Sequence, residues 1–66
     1  MSVAKVLEIT ATSEQSFEDA VRQGIAKASE TVRNIKGAWV KEQNIKIENG
    51  EITDFRVDLK VTFILD

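Results

Sequence analysis

With 66 residues and neither cysteine nor histidine, the chain has room for one domain, residues 1–66, and lacks the ligands for a disulfide framework or a structural zinc. Its 9 basic and 11 acidic residues are interspersed, so the net charge of −2 leaves no basic stripe to neutralise phosphates, and no nucleic-acid partner is expected. No apolar run approaches the roughly 20 residues that cross a bilayer, and Met1-Ser2-Val3-Ala4-Lys5 lacks the apolar segment of a signal peptide; the expectation is a cytoplasmic chain with no membrane partner.

Val3 to Thr10 is rich in β-branched residues and reads as a first strand, with Val3, Leu7 and Ile9 on one side and Val6, Glu8 and Thr10 on the other. Thr12 followed three residues later by Gln15 fits a capping box, and Glu14 suits the positive end of a helix, so a helix is predicted to start at Ser13. Phe17, Val21, Ile25, Ala28, Val32 and Ile35 then recur every three or four residues as one apolar stripe, and the helix is expected to end near Asn34. The opposite face carries Glu18, Arg22, Lys27 and Glu30, with Glu18 placed four residues before Arg22 to pair with it. Gly24 is the weak point of this helix: it either marks a close approach to a neighbouring backbone or is a tolerated exposed glycine.

After Lys36-Gly37 the period changes to two. Ala38 to Ile47, Asn49-Gly50, and Glu51 to Leu65 read as a long hairpin, because both central positions of a type I′ turn need positive φ and Asn-Gly supplies it. In the second arm Phe55, Val57, Leu59, Val61, Phe63 and Leu65 alternate with Arg56, Asp58, Lys60, Thr62 and Ile64, so one face of the sheet is buried. The order is β-α-β-β. A right-handed crossover sets the first two strands parallel with the third between them, giving a three-stranded antiparallel sheet of order 1-3-2 packed on one helix, an α+β fold. The second face, with Arg56, Asp58, Lys60 and Trp39, is either solvated or an assembly surface.

A chain this short buries only about 60% of its unfolded surface, and the balance of burial against ordering entropy comes out near zero. With disulfides and zinc excluded, self-association is the remaining ordinary source of stability. Catalysis is not expected: without histidine or cysteine the common nucleophilic constellations cannot be built, and Gly24, Gly37 and Gly50 are isolated rather than gathered in a phosphate-cradling loop.

The β-α-β-β order resembles the dodecins, and so do three segments in sequence: Lys5-Val6-Leu7-Glu8-Ile9 before Thr10-Ala11-Thr12-Ser13, the helix-ending Ala28-Ser29-Glu30-Thr31-Val32-Arg33-Asn34-Ile35, and Phe55-Arg56-Val57-Asp58-Leu59-Lys60-Val61-Thr62-Phe63. The resemblance covers nearly the whole chain. It implies a non-enzymatic subunit assembled with itself into a hollow homododecamer of cubic symmetry, which binds or stores flavin (FMN, riboflavin or FAD) in pairs near the threefold axes. In the flavin-binding relatives a tryptophan two residues after the leucine or isoleucine that follows the helix stacks on the flavin; counted from Ile35, that place is Gly37 here. A glutamine between an aromatic and a valine holds the ring edge in those relatives, and here it is Arg56.

Gly37, Trp39 and Arg56 are therefore the candidate cofactor-binding positions. Trp39 lies two residues beyond Gly37 on the same strand face and is either a displaced stacking platform or the filling of a subunit interface. Arg56 either holds a ring carbonyl, phosphate or carboxylate through its planar fork or pairs with Asp58, Glu42 or Asp54. The altered pattern also resembles a dodecin branch without flavin and associated with calcium, the alternative being a flavin-independent structural or calcium-associated shell. Its oxygen donors would come from Glu8, Glu42, Glu48, Glu51, Asp54 or Asp58, none of which lies in a recognisable loop, and no metal ligand is assigned.

Overall fold

The computed structural model describes residues 2–65. Four elements follow one another: β1 (Ala4–Ser13), α1 (Phe17–Ala28), β2 (Ile35–Glu48) and β3 (Glu51–Ile64). The strands form one sheet of order β1-β3-β2, with β3 antiparallel to both neighbours, as the crossover argument requires.

The helix is shorter than the sequence suggests, and both ends move for tertiary reasons. Thr12 does not cap it, because β1 continues to Ser13, with Thr12 opposite Arg56 and Ser13 opposite Phe55. Ladder pairing with β3 thus overrides the local capping signal. Ser16 takes the cap instead: its backbone is extended, with φ −169°, and its hydroxyl accepts the Asp19 amide at 3.0 Å. Ser13 supports the same turn from inside the fold. Its buried Oγ accepts the amides of Gln15 at 2.9 Å and Ser16 at 3.4 Å and donates to Asp19 Oδ2 at 2.6 Å. Ser16→Ala should remove about 1 kcal/mol of stability, read as a lower denaturant midpoint at fixed protein concentration, whereas Ser16→Gly should remove only a few tenths.

At the other end α1 stops at Ala28 rather than Asn34. A 12-residue helix is about 18 Å long at 1.5 Å per residue, a little over half of the roughly 30 Å spanned by the ten pairs of β1 with β3. The chain then has to reverse. Asn34 does this with φ 63°, a left-handed conformation that asparagine tolerates, and its carbonyl accepts the Ile64 amide at 3.1 Å. Ile35, expected on the helical stripe, instead opens β2 opposite Phe63, three residues earlier than Ala38.

The core lies between α1 and one face of the sheet. Leu7, Ile9 and Ala11 of β1 stand opposite Val61, Leu59 and Val57 of β3, and Phe17, Val21 and Ile25 pack onto them from the helix. Among the described residues only Ala20, Val57, Leu59 and Val61 are fully buried hydrophobics, which is the thin interior expected of this length. Gly24 is buried, not exposed. A Cβ there would come within 3.0 Å of the Ala11 Cβ, so the close approach is to a side chain of β1 rather than to its backbone. Phe17 meets Phe55 edge to face at 5.2 Å between centroids and 78° between planes, pinning the helix start to β3. The expected surface pair is present as well, with Arg22 Nη2 at 2.6 Å from Glu18 Oε1, both well exposed.

β1 reaches β3 only from Phe55 onward, so residues 46–54 form a two-stranded ribbon beyond the three-stranded part of the sheet. The molecule is accordingly long, 51 × 19 × 13 Å. Its tip is the predicted Asn49-Gly50 turn, with φ 53° and 77°. On this arm Ile47 and Ile52 are exposed and stand opposite each other, and Ile45, opposite Phe55 at the base of the arm, is exposed as well.

Candidate ligand-binding face

The sheet face turned away from α1 is organised in rows across the strands, because the register aligns residues of one parity. The first row is Val6, Thr62 and Gly37; the second is Glu8, Lys60 and Trp39; the third is Thr10, Asp58 and Glu42; the fourth is Thr12, Arg56 and Asn44. Bulges between Ile35 and Gly37 and between Val40 and Glu42 adjust β2 so that these residues stay on the outer face.

All three sequence-predicted positions lie on this face, but they are not gathered at one point within the subunit. Gly37 and Trp39 occupy adjacent rows, while Arg56 lies four residues along β3 from Lys60, about 13 Å at 3.3 Å per residue. Gly37 is open: nothing lies within 4 Å of where a Cβ would stand. Trp39 is 51% exposed, and Lys60 Nζ sits 5.9 Å from its ring centroid, inside the range of a cation–π contact. In the same row Lys41, the extra residue of the bulge, reaches across to Glu8 at 3.3 Å.

Arg56 takes the salt-bridge arrangement, with Nε 3.6 Å from Asp58 Oδ1. Asp58 also accepts the Thr10 hydroxyl at 2.9 Å, so it ties β1 to the charge pattern of β3. Arg56 further borders a shallow concavity with Thr12, Asn44, Ile45, Lys46 and Asp54, and a larger open groove of about 650 Å³ runs between the edge of β1 and α1 over Ile9, Ala11 and Gly24. Neither includes Gly37 or Trp39. The Lys60 and Lys41 contributions were not visible as site residues in the sequence, since each depends on which residue of β2 stands opposite which residue of β3.

The acidic candidates are spread out. Glu42 and Asp58 face each other across β2 and β3, and Glu48 faces Glu51 beside the hairpin tip. Among the described residues no three acidic side chains come together in a way that could hold a metal ion. Also among the described residues, no helix is long and apolar enough to cross a membrane.

Comparison with known proteins places this architecture. The family model for Dodecin matches residues 3–66. The chain is 35% identical over 63 residues to the calcium dodecin of Mycobacterium tuberculosis, covering 96% of this chain and 89% of that one. It is 33% identical over 64 residues to a dodecin of Thermus thermophilus, covering 97% and 93%. Among solved structures, a T. thermophilus dodecin variant superposes with a TM-score of 0.94 at 32% identity, covering 100% of this chain and 98% of that one. The M. tuberculosis calcium dodecin, described as a calcium-chelating antigen with a novel calcium-binding site, superposes with a TM-score of 0.84 at 35% identity, covering 98% and 93%. Sheet order, helix position and sequence agree across the whole length, and the chain belongs to the dodecin family.

Proposed function

We propose that residues 1–66 act as one non-enzymatic domain that assembles with copies of itself into a closed dodecameric shell and binds a flat aromatic ligand, a flavin in the first instance, against Trp39. The observation that carries this reading is Trp39 itself: a half-exposed indole on the outer sheet face, beside the open position at Gly37. An aromatic pair contributes roughly 0.5–1.5 kcal/mol beyond the area it buries, and a symmetric arrangement would present two indoles to one ligand or one ligand pair. The subunit alone offers Trp39 no enclosing wall, so the pocket forms where copies meet. A core of four fully buried hydrophobics among the described residues, and the exposed Ile45, Ile47 and Ile52 on and at the base of the arm, support the same assembly.

Trp39 is the sole tryptophan, which makes its fluorescence a direct probe. Titrating the assembled protein with riboflavin or FMN should quench that emission with saturation. Gly37→Trp, which enters open space, should strengthen binding by about tenfold, on the order of one added aromatic contact. Unquenched emission at high micromolar flavin would rule out the aromatic site.

A second reading draws on the 35% identical calcium dodecin and on the facing carboxylates Glu42 and Asp58. Two carboxylates fall short of the six to eight oxygens that calcium takes, so another subunit has to complete the site. Chelation with EDTA should then lower the melting temperature, and an unchanged melt would set calcium aside.

A further inference from the structure

We propose that Asn49-Gly50 at the arm tip is a self-modification site, at which the asparagine amide is replaced by a carboxylate through a five-membered succinimide. The chain holds three asparagines, Asn34, Asn44 and Asn49, followed in turn by Ile35, Ile45 and Gly50. Ring closure needs the next backbone nitrogen to reach the asparagine Cγ, which a β-branched side chain on that next residue hinders and glycine does not. Asn49 and Gly50 are both exposed, and among the described residues nothing lies within 4 Å of where a Cβ on Gly50 would stand. The ladder closes with Glu48 opposite Glu51, which leaves the Gly50 nitrogen outside it.

The turn geometry favours ring closure as well as permitting it. Asn49 has φ 53° and Gly50 φ 77°, the two positive angles of a type I′ turn. A type II′ turn closes the same two-residue hairpin and needs positive φ only at its first central residue. Rotating the one peptide plane between Asn49 and Gly50 converts the first turn into the second, with the sign of the Asn49 φ kept and Gly50, lacking a Cβ, able to cross to negative φ. The rotation takes the Asn49 ψ from about +30° to about −120°. Across the Cα–C bond the Gly50 nitrogen thereby moves from nearly opposite the Asn49 Cβ to alongside it, which is the arrangement of the five-membered ring. The strand pairing on either side stays in place.

In the first step the Gly50 amide gives its proton to hydroxide, and its nitrogen attacks the Asn49 Cγ. The N–Cγ bond forms, the Cγ–Nδ2 bond breaks, and ammonia leaves with a proton taken from water, which restores the hydroxide. Water then adds to one of the two ring carbonyls and breaks its bond to nitrogen. Opening at Cγ leaves aspartate in an unaltered main chain, whereas opening at the main-chain carbonyl leaves isoaspartate, with an extra methylene in the backbone. Either product adds one negative charge, taking the formal net charge from −2 to −3, at a tip where Glu48 already faces Glu51 and Lys46 is 3.9 Å from Glu48. Isoaspartate also lengthens a loop whose length fixes the register of the arm, while Asp-Gly is itself a type I′ pair.

The test is to hold the folded protein at mildly alkaline pH in water enriched in heavy oxygen, digest it, and read the peptides by mass spectrometry. Asn49 should lose its amide and take up one labelled oxygen, faster as the pH rises, while Asn34 and Asn44 stay intact. Conversion in the folded chain should be no more than about tenfold slower than in the same chain unfolded in guanidinium chloride, because types I′ and II′ are both favoured hairpin turns. Asn49→Gly, which keeps a type I′ pair, should abolish the change. A folded chain slower than that limit, conversion at Asn34 or Asn44 as fast as at Asn49, or label uptake at the tip that survives Asn49→Gly overturns the inference. Each result is independent of what binds at Trp39.

Discussion

Leu59→Ala is expected to lower subunit stability by about 2–5 kcal/mol, the range for truncating a fully enclosed leucine. Leu59 is 1% exposed and occupies the middle of the central strand, between Ile9 of β1 and Val40 of β2. It also lies against the helix, with its Cδ1 3.6 Å from the point where a Cβ on Gly24 would stand. Total stability scales at roughly 0.05–0.15 kcal/mol per residue, so a loss of this size is a large share of what a chain this short has. Urea titration at a single protein concentration is the appropriate measurement, because the proposed assembly would make the midpoint concentration-dependent. Val40→Ala, in the same row but 44% exposed in the subunit, should cost less than Leu59→Ala. A loss below about 1 kcal/mol for Leu59→Ala would show that the helix–sheet contact is not the main source of cohesion.

The paired change Ile47→Asp with Ile52→Asp should abolish assembly. These two isoleucines are 58% and 52% exposed, face each other across the projecting ribbon, and have no cover from α1 or β1. In an isolated subunit such surface changes fall mostly within about 0.5 kcal/mol. In a closed shell each isoleucine covered by a neighbour contributes about 1.5–3 kcal/mol, and symmetry repeats the loss at every equivalent contact. Light scattering coupled to size exclusion should report about twelve times the 7.4 kDa chain mass for the wild type and a mass near that of the single chain for the variant. Retention of the full mass would place the subunit contacts away from the arm. A two-stranded ribbon is marginal in water without support, which is the physical reason to expect the arm to be covered.

The clearest signals in the sequence were those whose physics is local. The unbroken alternation from Phe55 to Phe63 requires a strand with one apolar face, and Val57, Leu59 and Val61 are indeed the buried residues of β3. Asn49-Gly50 dictates its turn because few other residue pairs take positive φ twice. Leu65, which continues the same alternation, is 47% exposed because it lies past the end of β3 and beyond the helix's reach. The helix ends are not set locally: Thr12 and Val32 carry helix-compatible patterns, but the pairing of β1 with β3 and the reversal at Asn34 claim the chain first.

Residue types and periods alone thus determined the β-α-β-β order, the 1-3-2 sheet and the apolar face. Only the tertiary structure decided that Ser13 is a buried turn anchor, that Gly24 sits against Ala11, and that Lys60 stands over Trp39 with Lys41 reaching Glu8 in the same row. The division is physical: periodicity records which face a residue takes relative to its own strand or helix, whereas a site depends on which residue of one strand stands opposite which residue of another. Two bulges in β2 set that register, and no local feature of the chain announces where a single extra residue will be accommodated.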